Sequence, residues 1–357
     1  MIGANGSGKT SLLDVFSLLS ASAQGDLGRT IGELGGIEAN LSNLKQQTSL
    51  IEFGLIGEVA GQASLEYRMA ITPRGAGYEI AEETLNQQQA SGRPPLKHLE
   101  SRHGNVRYFM PATDRMESPS WEYNPGESAL SQVPRMFQAP EEFRRRLASV
   151  THYHALDVTR RAPVRLPQPL RAAQLPGANG EDLVSCLYNL RETAPDHFAT
   201  IEDTLRAGFP GFEQLGFPPV AAGTLAMTWK ESTSRQPFYM HQLSEGALRF
   251  LWLVTLLQSP GLTAITLIDE PEVSLHPELL SLLAEILREA SERTQLIVAT
   301  HADRLVRFLK PEEVATLTVN DEGAVGLVWA DELDLGQWLE EYTLDEVWRL
   351  GRMGGRP

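Results

Sequence analysis

The residues with the clearest chemical purpose stand at the start of the chain. Gly3-Ala4-Asn5-Gly6-Ser7-Gly8-Lys9-Thr10 fits the pattern G-x-x-x-x-G-K-[ST] at all four fixed positions. Glycines there let the backbone curl so that N–H groups point at phosphate oxygens, and the start of a following helix adds positive potential. Lys9 can reach the β- and γ-phosphates of a nucleotide, and the Thr10 hydroxyl can ligate Mg²⁺. Gly3, Asn5, Gly6, Ser7, Gly8, Lys9, Thr10 and Ser11 are therefore the candidate nucleotide-binding residues. A glycine-rich turn capping a helix is the plainer alternative, but it does not account for the complete pattern.

A second cluster lies near the other end. Ala264-Ile265-Thr266-Leu267-Ile268-Asp269-Glu270 is an apolar run closed by two acids. It suits a buried parallel strand with carboxylates at its C-terminal edge. Asp269 is the candidate Mg²⁺ ligand, and Glu270 the candidate residue that orients or deprotonates an attacking water. A strand ending in a solvated acidic turn would look the same in isolation. The context favours the chemical reading. Pro271-Glu272-Val273-Ser274-Leu275-His276-Pro277 follows, then a helix from Glu278 to about Arg293, then a second apolar run, Gln295 to Thr300, that ends in His301. A histidine at that edge can hydrogen-bond a γ-phosphate. Upstream, Leu243-Ser244-Glu245-Gly246 precedes an apolar helix from Ala247 to Leu257, forming an N-cap and a second candidate anion site.

These groups need elements to hold them. Leu12, Leu13, Val15, Phe16 and Leu19 give the segment after Thr10 a helical apolar face. Only Met1 and Ile2 precede the loop, so the strand that should lead into it is expected to be missing and the chain to be N-terminally incomplete. The β-α-β order around His301 supports a doubly wound sheet. Residues 48–56 and 63–71 alternate as strands, with another after the turn Arg74-Gly75-Ala76-Gly77. Residues 86–98 read as an exposed loop. Helices are expected from Pro140 to about Leu156, from Gly180 to Glu192 and from Asp196 to Ala207. No sustained heptads and no internal repeat stand out.

Composition narrows the class. Charges of 31 Lys+Arg against 46 Asp+Glu give −15, which argues against a coat of DNA-binding charge. A local exception is residues 135–171, where Arg135, Arg144, Arg145, Arg146, Arg160, Arg161, Arg165 and Arg171 face only Glu141, Glu142 and Asp157. These arginines could contact a DNA backbone, although solvated faces and ion pairs are the plainer reading. The single Cys186 rules out a disulfide framework or a cysteine-rich zinc site. No apolar run is long enough to span a bilayer and no signal peptide is visible, so a cytoplasmic location without membrane partners is expected.

Together, the loop Gly3–Thr10, the signature Leu243–Gly246, the acid-ended strand with Glu270, and His301 resemble the ABC class of ATPase heads. The wording Leu-Ser-Glu-Gly and Asp-Glu-Pro-Glu-Val-Ser-Leu-His-Pro is similar to the AAA-type predicted ATPases related to the OLD, RecF and SMC families. The segment from Gln337 to Gly351 resembles the closing segment of that family. The resemblance implies an α/β P-loop NTPase of the ABC-ATPase head type, with a mainly parallel core sheet, an antiparallel side sheet and an inserted helical lobe. Boundaries are expected at 1–130 (N-terminal half), 131–215 (lobe) and 216–357 (C-terminal half). Residues 331–357 are too few for the TOPRIM nuclease domain of OLD proteins.

The resemblance also implies a mechanism. ATP and Mg²⁺ sit between two copies of the chain. Ser244, Glu245 and Gly246 of one copy meet the nucleotide of the other, while Glu270 and His301 act on their own copy's nucleotide. Thr10, Asp269 and Gln132 are the candidate Mg²⁺ ligands, Gln132 being assigned by analogy with the glutamine that couples such sites to an inserted lobe. DNA repair or antiphage defence with a separately encoded nuclease is the expected role. The alternatives are the ATP-binding subunit of a transporter, and an inactive truncated scaffold. Glu270→Gln is expected to slow hydrolysis strongly while ATP binding persists, leaving an ATP-bound dimer detectable by light scattering; hydrolysis at the parental rate would remove Glu270 from its role.

Overall fold

The computed structural model describes residues 1–42, 49–58, 63–89, 93–320 and 322–354. Thr48, the expected start of the first side strand, lies outside them. Two compact units are formed. The first comprises Met1–Thr10, Thr151–Asn320 and Val325–Pro357; the second comprises Ser11–Val150 and Asp321–Ala324. This division does not coincide with boundaries after residues 130 and 215: of the helices expected in an inserted lobe, the one beginning near Pro140 belongs to the second unit and the two between residues 180 and 208 to the first. The chain opens with strand β1 (Ile2–Gly3) and helix α1 (Lys9–Gln24). The strand expected to be missing is thus present in short form, held in parallel register with Ile2 opposite Thr316 and Gly3 opposite Leu317.

In the second unit, six strands pair antiparallel in chain order: β2 (Ile51–Gly57), β3 (Leu65–Arg74), β4 (Gly77–Gln87), β5 (Leu96–Arg102), β6 (Asn105–Met110) and β7 (Arg115–Glu117). The expected turn joins β3 to β4, with Arg74 opposite Gly77. The loop expected at 86–98 is shorter, because pairing continues past the buried pair Leu85 and Leu99 to Gln87 opposite Leu96. Residues 90–92 of that stretch lie outside the described residues. Helix α2 (Gln138–Ala148) stops well before Leu156. It is tied to α1, since Gln24 Nε2 donates to the Ala148 carbonyl at 2.7 Å and Arg144 Nη1 to the Ala23 carbonyl at 3.3 Å. Its Phe143 ring lies 5.8 Å from that of Tyr67 in β3.

The first unit holds the parallel sheet. The segment Thr-His-Tyr, expected at the end of a helix, is strand β8 (Thr151–Tyr153); its β-branched and aromatic residues suit a sheet. It pairs in parallel with β9 (Ile265–Asp269), which pairs in parallel with β10 (Gln295–Ala299). β1 pairs with β11 (Ala315–Val319), and β12 (Val325–Trp329) adds an antiparallel edge. Met1 joins the two halves, because its amine donates to the Val298 carbonyl at 2.6 Å and its carbonyl accepts from Thr300 N at 3.1 Å. The row therefore reads β8, β9, β10, β1, β11, β12. This is the expected mainly parallel core with an antiparallel side sheet elsewhere in the chain.

Helices α3 (Leu183–Thr193), α4 (Pro195–Gly208), α5 (Glu245–Gln258) and α6 (Leu279–Ser291) complete the first unit. α5 is apolar on all sides and buries Leu248, Phe250, Leu251, Trp252, Leu253, Val254, Leu256 and Leu257, as an enclosed helix must. At the C-terminal end, Leu344, Val347 and Trp348 share a core with Ile2 and Val306. The arginines of 135–171 are divided between the units, and several are committed to the fold. Arg144 pairs with Glu141 at 2.6 Å, Arg146 with Glu142 at 3.0 Å and Arg171 with Asp182 at 3.5 Å. Among the described residues, no helix is long and apolar enough to cross a membrane.

The side sheet contains one feature that its alternation conceals. Ala70 opposes Glu82 while Ile71 opposes Ile80, so Ala81 is an extra residue, a bulge. The bulge reverses the inward phase of β4 and buries Glu83 completely. Four donors meet that carboxylate: Ser128 Oγ at 2.6 Å, Ala129 N at 2.7 Å, Leu130 N at 3.0 Å and the Tyr67 hydroxyl at 3.0 Å. Burial pushes the Glu83 pKa up, and the hydrogen bonds from Ser128, Leu130, Ala129 and Tyr67 oppose that shift. Glu83→Ala would leave four buried donors without an acceptor and is expected to cost about 3 kcal/mol, read as a lower denaturant midpoint. An unchanged midpoint would show that the donors find other partners.

Candidate functional site

The glycine-rich loop adopts the curled form its sequence demands. Gly6 and Gly8 have φ of 76° and 88°, where a side chain would be strained. Ser7 is buried, and its Oγ has no hydrogen-bond partner among the described residues. Asn5 is exposed, as are Thr10 and Ser11 in the first turn of α1. Lys9 is buried and bends back, donating to the Gly3 carbonyl at 2.8 Å and the Ala4 carbonyl at 3.1 Å. Burial pulls its pKa below the ordinary lysine value, while Asp269 and Glu270 hold it up.

Those two acids end β9. Burial raises the Asp269 pKa first and the charge of Glu270 second, against His154, His301 and Lys9, which lower it. Lys9, Asp269, Glu270 and His301 therefore share one electrostatic neighbourhood. The chain turns sharply at Glu270, whose φ of 50° is unusual for a residue with a side chain. Its amide donates to the Ala299 carbonyl at 2.8 Å, which anchors the turn to β10. His301 Nε2 lies 3.9 Å from Glu270 Oε1, too far for a direct hydrogen bond.

Glu272 was not singled out by its place in the motif, yet it organises the turn that carries His301. Its Oε1 accepts from Thr300 Oγ1 at 2.7 Å, His301 N at 3.1 Å and Ala302 N at 3.2 Å. The Asp-Glu-Pro-Glu spacing was the available signal, but spacing alone names no acceptor.

The signature segment is built as an N-cap. Ser244 has extended backbone, and its Oγ accepts from Ala247 N at 3.2 Å. Ser244 and Glu245 are exposed. A Cβ on Gly246 would sit 2.8 Å from the Ser274 carbonyl oxygen, so only glycine fits there without displacing the segment that follows Glu270. Arg165 anchors the approach to the signature, its Nη1 donating to the Leu243 carbonyl at 2.9 Å and the His241 carbonyl at 3.3 Å. No sequence spacing pointed to it. Gln132 lies in the second unit, where its amide bridges the Asn124 backbone: Oε1 accepts from Asn124 N at 2.8 Å and Nε2 donates to Asn124 O at 2.9 Å.

A glycine-rich loop between β1 and α1, with acids and a histidine at the C-terminal edge of the same parallel sheet, defines a P-loop ATPase head. The chain belongs to the family described as "AAA domain, putative AbiEii toxin, Type IV TA system", whose model matches residues 1–307. No curated protein matches it in sequence. In fold it is similar to an SMC head solved bound to the C-winged helix domain of ScpA, with a TM-score of 0.54, 14% identity, and coverage of 93% of this chain and 90% of that one. The SMC head domain from Thermotoga maritima aligns with a TM-score of 0.46 at 13% identity over 92% of this chain and 88% of that one.

Glu272→Ala removes the acceptor that holds the His301 turn and is expected to lower ATP turnover about a hundredfold, with Glu272→Gln, which keeps an acceptor oxygen, less affected. Steady-state phosphate release compares them; equal activities for both variants and the parent would show that the turn holds itself.

Proposed function

We propose that the chain binds ATP with Mg²⁺ at the site formed by Gly3–Thr10, Asp269, Glu270 and His301, and hydrolyses it to ADP and phosphate. The observation that carries this reading is the shared electrostatic neighbourhood of Lys9, Asp269, Glu270 and His301 at one sheet edge. The donors fit the ligands. Asp269 and the Thr10 hydroxyl offer the oxygen ligands that Mg²⁺ prefers. Lys9 and the amides of the curled loop offer the cationic and dipolar cradle that phosphates prefer.

In this mechanism the loop amides and Lys9 fix the phosphate chain. The Thr10 hydroxyl and Asp269 would hold Mg²⁺, which would supply charge neutralisation for the phosphates. Glu270 orients the attacking water and takes its proton, and the left-handed backbone at Glu270 sets the direction of its carboxylate. His301, held by Glu272, donates to the γ-phosphate. Ser244, Glu245 and Gly246 of a second copy complete the site across the nucleotide, so that ATP joins a homodimer and hydrolysis releases it. Exposure of Ser244 and Glu245 supports this arrangement. Gln132 as a Mg²⁺ ligand has less support, because its amide is engaged with Asn124.

The biological setting we propose is cytoplasmic DNA repair or antiphage defence with a separately encoded nuclease. The OLD- and RecF-like wording of the motifs supports it, and the family description, which names a toxin–antitoxin system, is in keeping with the defence side of it. Contact with DNA through the arginines of 135–171 belongs to the same proposal.

Lys9→Ala is expected to abolish ATP binding, measured by fluorescence titration with a labelled ATP analogue. The parent is expected to dimerise on ATP in the presence of Mg²⁺, measured by light scattering. Full affinity in the Lys9 variant would overturn the assignment of the loop, and a monomer at saturating ATP would overturn the shared-nucleotide arrangement.

A further inference from the structure

Strand β8 carries His152, and His154 follows its last residue, toward the acid end of β9. The strands run parallel, with His152 opposite Leu267 and Tyr153 opposite Ile268, so His154 comes level with Asp269. Side chains alternate along a strand, so positions 152 and 154 share a face, and in parallel register that is the face of Asp269. Each of His152, His154 and Asp269 offers one ligand atom, and these three atoms lie within 4.8 Å of one another. The two imidazole centroids are 4.0 Å apart. His152 and Asp269 are half-buried and His154 is exposed, so the group is open to an ion from solvent.

We propose that His152, His154 and Asp269 form a binding site for a divalent first-row transition ion such as Zn²⁺, Mn²⁺ or Co²⁺. The donor set argues for this class. Mg²⁺ takes oxygen ligands almost exclusively, whereas imidazole nitrogens favour zinc and its neighbours, and two imidazoles with one carboxylate leave positions open for water. The triangle must contract on binding, since ligand atoms about 2 Å from a zinc ion stand roughly 3.3 Å apart in a tetrahedron. Exposure leaves the His154 ring room to turn toward an ion, and small side-chain shifts of His152 and Asp269 would close the remaining side. Charge is mixed around the site. Asp269 and Glu270 favour a cation, while Lys9 opposes it, and Arg249 lines the hollow that His154 and Asp269 share.

Asp269 would then belong to two ion sites at once. A transition ion held by the histidines would draw the carboxylate away from Mg²⁺, making ATP turnover sensitive to that ion. This consequence rests on the ATPase reading; the binding itself does not.

The test begins without nucleotide. Metal-free protein is titrated with Zn²⁺ by calorimetry and with Co²⁺ by visible absorption. One ion per chain is expected at this site, with His152→Ala and His154→Ala each weakening it at least tenfold and His301→Ala leaving it unchanged. Circular dichroism checks that the variants are folded, and His154→Ala, at an exposed position, provides the decisive comparison. Absence of uptake by the parent, or equal affinity in the His154 variant, would overturn the site. A second arm adds Zn²⁺ to the Mg²⁺-ATPase assay, where inhibition of the parent but not of His154→Ala is expected. Zn²⁺ binding without any ATPase activity would support the metal site and overturn the ATPase reading, whereas ATPase activity without Zn²⁺ binding would do the reverse.

Discussion

Two carboxylates on successive residues at a half-buried sheet edge repel each other, and the rest of the site can be understood as an answer to that repulsion. Burial and the charge of Glu270 raise the pKa of Asp269. Lys9 supplies an opposing cation, placed there because α1 begins where the loop ends and because the loop carbonyls of Gly3 and Ala4 hold the ammonium. The positive φ of 50° at Glu270 breaks the extended course of β9 at the second carboxylate. A divalent cation bound beside the two carboxylates would offset the same repulsion.

The position of this centre depends on a sheet with both types of edge. β9 is paired in parallel on both sides, by β8 and β10. Its end is therefore fixed by two neighbours, each of which delivers a histidine or the approach to one. β1 is only two residues long, yet it is clasped by Met1 contacts on one side and by β11 on the other. Short strands suffice where the core behind them is dense, and Ile2 of β1 packs into the core formed by Val306, Leu344, Val347 and Trp348.

Much of this was legible in the sequence because the informative residues obey strict local rules. The loop needs its glycines, the buried strand needs its apolar run, and the N-cap needs Ser244. The fold class followed from those motifs and their order. What escaped notice depended on contacts between distant segments. Glu83 sits inside the side sheet because one bulge at Ala81 shifts the phase of β4, and a period-two pattern read by eye points Glu82 inward instead. The strand Thr151–Tyr153 is too short to outweigh the helical pattern before it, and only pairing with β9 reveals it. Arg165 and Glu272 act through backbone atoms far along the chain, and side-chain type alone does not identify such partners.

The tight contact between Gly246 and the Ser274 carbonyl links two loops that hold different ends of the chemistry. With no space for a methyl group between them, a displacement of the turn after Glu270 pushes on the start of α5. A side chain at position 246 would therefore shift the Ser274 carbonyl and, with it, the turn that Glu270 opens.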